Sequence, residues 1–183
     1  MIHRALLVAL AFAAGTFPSA RAETYHLDDT STVTIDTPPT WTVLEKKFRM
    51  PLMILGPTLA GSNFRLTIDL SPIDGIPQSL LDPKLFPEFE KTFTKGKTAW
   101  IKGKGGELIH FSPYKKEHWA HIPIVHRLEF SYRWDEQDFL ERTFYFNCGS
   151  RSYHMKALIP ITPEKDANEE KLHEVLDSVA CAK

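Results

Sequence analysis

Histidines are the residues of this sequence whose type and spacing best suit chemistry. His110, His118, His121 and His126 lie within 17 residues, and imidazole is a suitable ligand for zinc and copper. In an extended strand, His118 and His121 would point to opposite faces, and so would His121 and His126, because side chains alternate. A shared site would need a bulge, or an irregularity at Pro123, to re-aim one side chain. Zinc or copper binding by His118, His121 and His126 is therefore the alternative hypothesis, and hydrogen-bonded or solvent-facing histidines are the favoured one.

One further side chain in the same region, together with His121, is a candidate for binding. Trp119 could project beside His121 as an aromatic recognition surface, and we take this pair as the predicted binding residues. The competing interpretation is a buried tryptophan, since aromatic residues dominate protein cores.

Sequence patterns typical of catalysis are missing. There is no G-x-S-x-G, H-E-x-x-H or paired C-x-x-C, and the glycine-rich segment 103–106 follows a predicted helix, whereas a phosphate loop precedes one. We predict no catalytic residues and no cofactor. An enzyme of unknown chemistry stays as a third hypothesis, because catalytic triads require no sequence order.

The two cysteines are predicted to form a disulfide. Cys148 lies at the turn of a predicted hairpin, and Cys181 follows a predicted C-terminal helix. The strand after the turn would run about 30 Å away, and the helix would return roughly 22 Å. This brings Cys181 back to the hairpin tip, where a bridge would stabilise the fold by about 3 kcal/mol.

The first residues predict a secretory signal. His3 and Arg4 form a short basic start, residues 5–17 are uncharged and mostly apolar, and Ala20-Arg21-Ala22 matches the A-x-A pattern of signal peptidase sites. The apolar run is shorter than the roughly 20 residues that a helix needs to cross a bilayer. We expect residues 1–22 to be cleaved after Ala22, a periplasmic or secreted location, and no transmembrane segment in the remaining chain.

Size and charge restrict the class of partner that the protein is expected to bind. Residues 23–183 fall within the usual size of one domain. Loss of Arg4 and Arg21 leaves 20 lysines and arginines against 23 aspartates and glutamates, a formal charge of −3. This mildly acidic balance argues against nucleic acid and anionic membranes. Another protein or a small ligand is the expected partner.

Alternation of apolar and polar residues predicts an antiparallel sheet. The pattern is clearest at Arg127–Trp134, where four apolar side chains oppose four polar ones. Several predicted strands end at turn residues or prolines. They cover residues 32–35, 41–43, 52–55, 63–71, 107–111, 119–125, 127–134, 139–147 and 151–159.

A helical period predicts two helices. The first should begin at Asp82 as N-cap, with Pro87 as an alternative first turn, and should end by residues 103–106. Its apolar stripe is expected to cover the sheet. The second should begin at a capping box of Asp166 and Glu169 and continue to about Ala180.

The order of these elements resembles a known family. A strand leading into Pro39-Thr40-Trp41, a later strand with Asn63, Phe64 and Leu66, a long helix, a meander and a last helix resemble the PsbP-like and DcrB-like α/β/α sandwich. The resemblance covers roughly residues 32–181. It implies a small accessory or binding protein without a catalytic centre, and it transfers no site residues.

Together these observations predict an α+β fold. Its antiparallel β-sheet has about six to seven strands and is packed by a long mid-chain helix and a C-terminal helix. The predicted function is that of a non-catalytic, exported binding or accessory protein.

Overall fold

A computed structural model describes residues 21–47, 49–58 and 64–181. The predicted signal peptide lies outside these residues apart from Arg21 and Ala22, which begin the first strand. No helix in the described ranges is long and apolar enough to cross a bilayer. The strands are β1 (Arg21–His26), β2 (Thr32–Thr37), β3 (Thr42–Lys47), β4 (Met50–Thr58), β5 (Arg65–Ile73), β6 (Glu107–Glu117), β7 (Val125–Trp134), β8 (Gln137–Cys148), β9 (Arg151–Pro160) and β10 (Ala180–Cys181). The helices are α1 (Gln78–Leu81), α2 (Phe86–Gly103) and α3 (Lys165–Ser178).

Seven strands form one antiparallel sheet, which confirms the predicted sheet. Their order is β3-β4-β5-β9-β8-β7-β6. The two central hairpins have two-residue turns, at Asp135-Glu136 and Gly149-Ser150. Asp135 and Glu136 both have positive φ, 51° and 59°, the conformation that matches the twist of paired strands. These turns fix the register in which β7, β8 and β9 place their side chains.

Helix α2 covers one face of this sheet, as its aromatic stripe predicts. The Phe93 ring centroid lies 5.9 Å from that of Phe111 and 6.3 Å from that of Phe130. The helix begins later than predicted: Asp82 caps no long helix, and its Oδ1 accepts a hydrogen bond from the Lys84 amide at 2.9 Å. Pro87 lies in the first turn, where its missing amide hydrogen costs nothing.

The other face is covered by α3 together with a second, three-stranded sheet. That sheet has the order β1-β2-β10, so the predicted strand at residues 32–35 belongs to it and not to the large sheet. Val33 and Ile35 of β2 are fully buried with Leu172 and Val179 from the last helix region. Each such side chain contributes about 1.5 to 3 kcal/mol by leaving water. The second layer therefore holds the C-terminal end of the chain against the main sheet.

The predicted disulfide is present. The Cys148 and Cys181 sulfurs are 2.06 Å apart, and their Cα atoms are 5.2 Å apart. Cys181 also lies in β10, where it is in register with Val33 of β2. The bridge thus links the tip of the β8–β9 hairpin to the second sheet.

Two local predictions were wrong. Residues 119–125 are not a strand: the Trp119 and Ile122 backbones bond each other in a tight loop, and only Val125 belongs to a strand. The capping box of α3 does not form either, because the N-cap residue is Glu164 and no side chain caps the helix. Glu169 instead pairs with Arg142 of β8.

Buried Arg142 explains the lost capping box. Its side chain is only 8% exposed, and its Nε lies 2.6 Å from Glu129 Oε2 on β7. Its Nη2 lies 3.3 Å from Glu169 Oε2, while Lys165 Nζ lies 2.8 Å from the other oxygen of that carboxylate. A buried guanidinium without counter-charges is costly, so pairing with Arg142 outweighs capping. Arg142 and Lys165 lower the pKa of Glu169 against the opposing effect of burial.

Candidate functional site

The histidines do not converge. His110, His118 and His121 are exposed, whereas His126 is buried in β7. Among the described residues, no group of three histidines, cysteines or carboxylates is arranged to hold a metal ion. In the sheet register, His126 is next to Tyr145 of β8, and Tyr145 is next to His154 of β9. His126 therefore lies on the α2 face of the sheet, in a row with aromatic and imidazole rings.

Trp119, one of the two predicted binding residues, lies in the core. Its ring is 5% exposed and packs 5.3 Å from Phe144 and 5.0 Å from Phe146, centroid to centroid. The indole nitrogen donates to Glu117 Oε1 at 3.4 Å. Of the predicted pair, only His121 is accessible at the surface.

The structure reveals a different concave site, which we call the α1 cleft. It has a volume of about 350 Å³ and lies where α1 and the start of α2 meet the adjoining ends of β6 and β7. The Phe86 ring of α2 lies 4.9 Å from the Tyr114 ring of β6 and joins these elements. The cleft is lined by Leu80, Leu81, Pro83, Phe86, Tyr114, Lys116, Ile124 and His126.

A hydrogen-bonded aromatic pair forms part of the cleft lining. The Tyr114 hydroxyl and His126 Nδ1 are 2.7 Å apart, and the two rings are stacked at 5.9 Å. Burial, reinforced by the positive charge of Lys116, lowers the pKa of His126. Burial also raises the pKa of Tyr114. Both groups are therefore neutral near pH 7, and the uncharged imidazole can accept the hydroxyl proton in a hydrogen bond.

Aliphatic side chains dominate the cleft rim and its surroundings. Leu81 and Ile124 line the cleft and are 49% and 45% exposed, and Leu85, at the start of α2, is 46% exposed. Large exposed aliphatic groups that cluster beside a cleft are typical of interaction surfaces. Lys116 is the one positive charge in the lining, and it has no ion-pair partner among the described residues.

The lining suits recognition of an apolar group better than catalysis. The neutral hydroxyl–imidazole pair lacks a carboxylate to orient it, and no nucleophilic cysteine or serine lines the cleft. Apolar walls with a few polar groups are what a binding pocket needs to fix orientation. Sequence reasoning missed this site because its residues come from four separate elements. The one available signal was the apolar pair Leu80-Leu81, which lies outside every predicted helix and strand.

Comparisons with known proteins establish the fold. No protein-family model matches the sequence, and no curated protein matches it. The solved structure of LpqN from Mycobacterium tuberculosis, described as involved in cell envelope biogenesis, has a TM-score of 0.52 at 17% identity, covering 89% of this chain and 91% of LpqN. Cyanobacterial PsbP (CyanoP) from Synechocystis sp. has a TM-score of 0.53 at 14% identity, covering 94% and 99%.

A third solved structure with this fold is a Ran-binding protein. Mog1p of Saccharomyces cerevisiae has a TM-score of 0.51 at 9% identity, covering 89% of this chain and 96% of Mog1p. At these identities the three structures share the fold alone. The predicted PsbP-like α/β sandwich is thereby confirmed, with the second sheet as an addition that the sequence did not predict.

Proposed function

We propose that this protein is an exported accessory protein that binds another protein by docking an apolar segment of it in the α1 cleft. The observation that carries this proposal is the rim of the cleft, where Leu81 and Ile124 expose nearly half of their surface around a concave apolar site. Covering these side chains would remove apolar area from water, which is the main source of affinity in such interfaces. This role needs no catalytic centre.

The chemistry of the cleft describes the partner segment. The partner segment should carry an aliphatic or aromatic side chain that packs against the apolar walls, and a carboxylate within reach of Lys116. The ammonium of Lys116 has no competing ion pair among the described residues, so it can donate hydrogen bonds to a carboxylate of the partner. A rim charge of this kind favours the correct orientation more than it adds affinity.

The disulfide and the signal pattern support export. Disulfides form and persist in oxidising compartments such as the periplasm or the extracellular medium. Cleavage after Ala22 would leave residues 23–26 of β1, which pair with residues 32–35 of β2. Tyr25, the buried residue of β1, is retained, so the shortened strand still contributes to the core.

The shared fold supports a protein partner. Mog1p is named as a Ran-binding protein, so one protein with this fold binds another protein. The residues used here would be this chain's own, because 9% identity carries no site across.

Affinity purification from the exported compartment tests the proposal. Leu81→Glu and Ile124→Glu place a charge on the cleft rim without touching the core, and the matched control is Ile109→Glu. Ile109 is 51% exposed on β6 and does not line the cleft. We expect a stoichiometric protein partner to co-purify with the native protein and with Ile109→Glu, and to be lost with both cleft variants. A partner retained by the cleft variants, or a native protein without any partner, would contradict the proposal.

A further inference from the structure

From a second groove, we infer that the α2 face of the sheet binds a small aromatic carboxylate. This groove, which we call the α2 groove, has a volume of about 490 Å³ and shares no lining residue with the α1 cleft. Its volume lies in the range of small-molecule sites. It is lined by Phe93, Gly96, Lys97, Trp100, Glu141 and Lys156.

Two lysines supply positive charge to the groove, and each forms an ion pair with a carboxylate of the sheet. Lys97 Nζ lies 2.8 Å from Glu141 Oε1 and 4.6 Å from the centre of the Phe130 ring. Lys156 Nζ lies 3.1 Å from Asp69 Oδ2. A side chain fixed by an ion pair loses less conformational freedom when a ligand binds, so both ammonium groups are prepared for an incoming group.

The ion pairs present their positive ends outward. The side chains of Glu141 and Asp69 are 4% and 10% exposed, whereas those of Lys97 and Lys156 are 25% and 32% exposed. An ammonium group has three N–H donors, and each of these uses one on its carboxylate. Two donors on each lysine therefore remain for an anion, although the four charges sum to zero.

The sheet register places Lys156 near Glu141, the carboxylate that pairs with Lys97. Glu141 of β8 is opposite Leu158 of β9, so Lys156 is its diagonal neighbour, at most about 7 to 8 Å away between Cβ atoms. Lys97 contacts Glu141 directly. Both lysines also act on His154 of β9, whose pKa they lower together with burial. A carboxylate, with two oxygens and about four acceptor sites, can accept from both ammonium groups at once.

The apolar wall of the groove selects a ring. Trp100 is 49% exposed and its ring packs edge-on against Tyr132 at 6.2 Å, which holds it at the groove. Phe93 lies about two helical turns earlier on the same helix and lines the same groove. Between them, a Cβ built on Gly96 meets no atom within 4 Å, so the groove is open down to the helix backbone. A flat ring can stack in this space while its carboxylate reaches the lysines.

Binding of 1-naphthoate, measured by isothermal titration calorimetry on the exported protein, tests the site. Two probes separate its parts: 1-naphthamide keeps the rings without the charge, and acetate keeps the charge without the rings. We expect 1-naphthoate to bind at least about tenfold more tightly than either, since a hydrogen bond to a charged group is worth about that factor or more. Equal affinity for 1-naphthoate and 1-naphthamide, or no binding of 1-naphthoate, would overturn the inference.

Two matched glycine variants locate the binding. Gly96→Leu places a side chain in the groove, and leucine favours the helix over glycine by nearly 1 kcal/mol, so the variant folds. Gly103→Leu is the control, since it ends the same helix, also has free space around its Cβ, and does not line the groove. We expect loss of 1-naphthoate binding with Gly96→Leu alone. Unchanged binding in that variant would place the ligand elsewhere and refute the site.

A charge variant tests the role of the lysines. Lys156→Gln keeps most of the side-chain length, and we expect it to weaken 1-naphthoate about tenfold while leaving 1-naphthamide unchanged. An equal effect on both probes would contradict the proposed contact with the carboxylate. Because the α1 cleft is separate, Leu81→Glu should leave naphthoate binding intact, which distinguishes failure of one site from failure of the other.

Discussion

Removing the Cys148–Cys181 bridge is expected to destabilise the protein by roughly 3 to 4 kcal/mol. The bridge spans a sequence separation of 33 residues. Closing a loop of this size removes about 12 to 13 cal/mol/K of entropy from the unfolded chain. Multiplied by the absolute temperature at 25 °C, this entropy corresponds to roughly 3 to 4 kcal/mol of stability. The loss is large against the roughly 5 to 15 kcal/mol that holds a typical domain folded. The bridge also fixes β10 against β2, so the C-terminal strand should separate first.

Urea unfolding of oxidised and reduced protein measures this contribution. Reduction keeps both sulfur atoms in place, so the comparison isolates the covalent link from the packing of the buried Cys148 side chain. Cys148→Ala/Cys181→Ala removes the bridge without reductant, but it also removes the buried Cys148 sulfur and should therefore cost somewhat more. A difference in unfolding free energy below about 1 kcal/mol would refute the entropic argument. Alkylation of both thiols in denaturant without reductant would show that the protein has no bridge at all.

Three further predictions concern stability. Burial lowers the pKa of His126 and His154, so the folded protein resists protonating them while the unfolded chain takes up protons below about pH 6.5. The unfolding free energy should therefore fall as pH decreases from about 7 to 5, by up to about 1.4 kcal/mol per pH unit for each histidine. His126→Phe should remove the part of this pH dependence that comes from His126. An unfolding free energy that stays constant over this pH range in urea titrations would contradict the prediction. Arg142→Met leaves two carboxylates without their shared partner and should cost about 3 to 5 kcal/mol; a loss below about 1 kcal/mol would show that the ion pairs contribute little. Trp119→Ala should cost about 3 to 5 kcal/mol because the ring is buried, whereas a surface ring would lose less than about 0.5 kcal/mol in the same unfolding experiment.

Most strands and both long helices could be predicted from local patterns. In β7, polar and apolar side chains alternate because each face has its own environment, with Phe130 under α2 and Glu129 bound to Arg142. The disulfide could also be predicted, since strand and helix lengths alone return Cys181 to the β8–β9 turn. Such features depend on the period of a short segment, and the sequence displays that period directly.

Long-range arrangements could not be predicted in this way. The pairing of β2 with β1 and β10 depends on where α3 ends, and the sequence of β2 looks the same in either sheet. The α1 cleft joins residues from four elements, so the apolar pair Leu80-Leu81 alone does not identify it. The sequence predicts a strand at residues 119–125, but the Trp119 and Ile122 backbones hydrogen-bond each other in a tight loop instead. Glu169 does not form its predicted capping box, because its carboxylate pairs with the buried guanidinium of Arg142 on β8.

Site-specific photo-crosslinking in the cells that produce the protein tests the proposed docking most directly. A photoreactive amino acid replaces Ile124 on the cleft rim, and in a parallel sample it replaces Ile109, which is equally exposed but away from the cleft. We predict one defined protein adduct from position 124, none from position 109, and loss of the adduct when Leu81→Glu is added. The same adduct from both positions, or an adduct that persists with Leu81→Glu, would contradict docking in the α1 cleft.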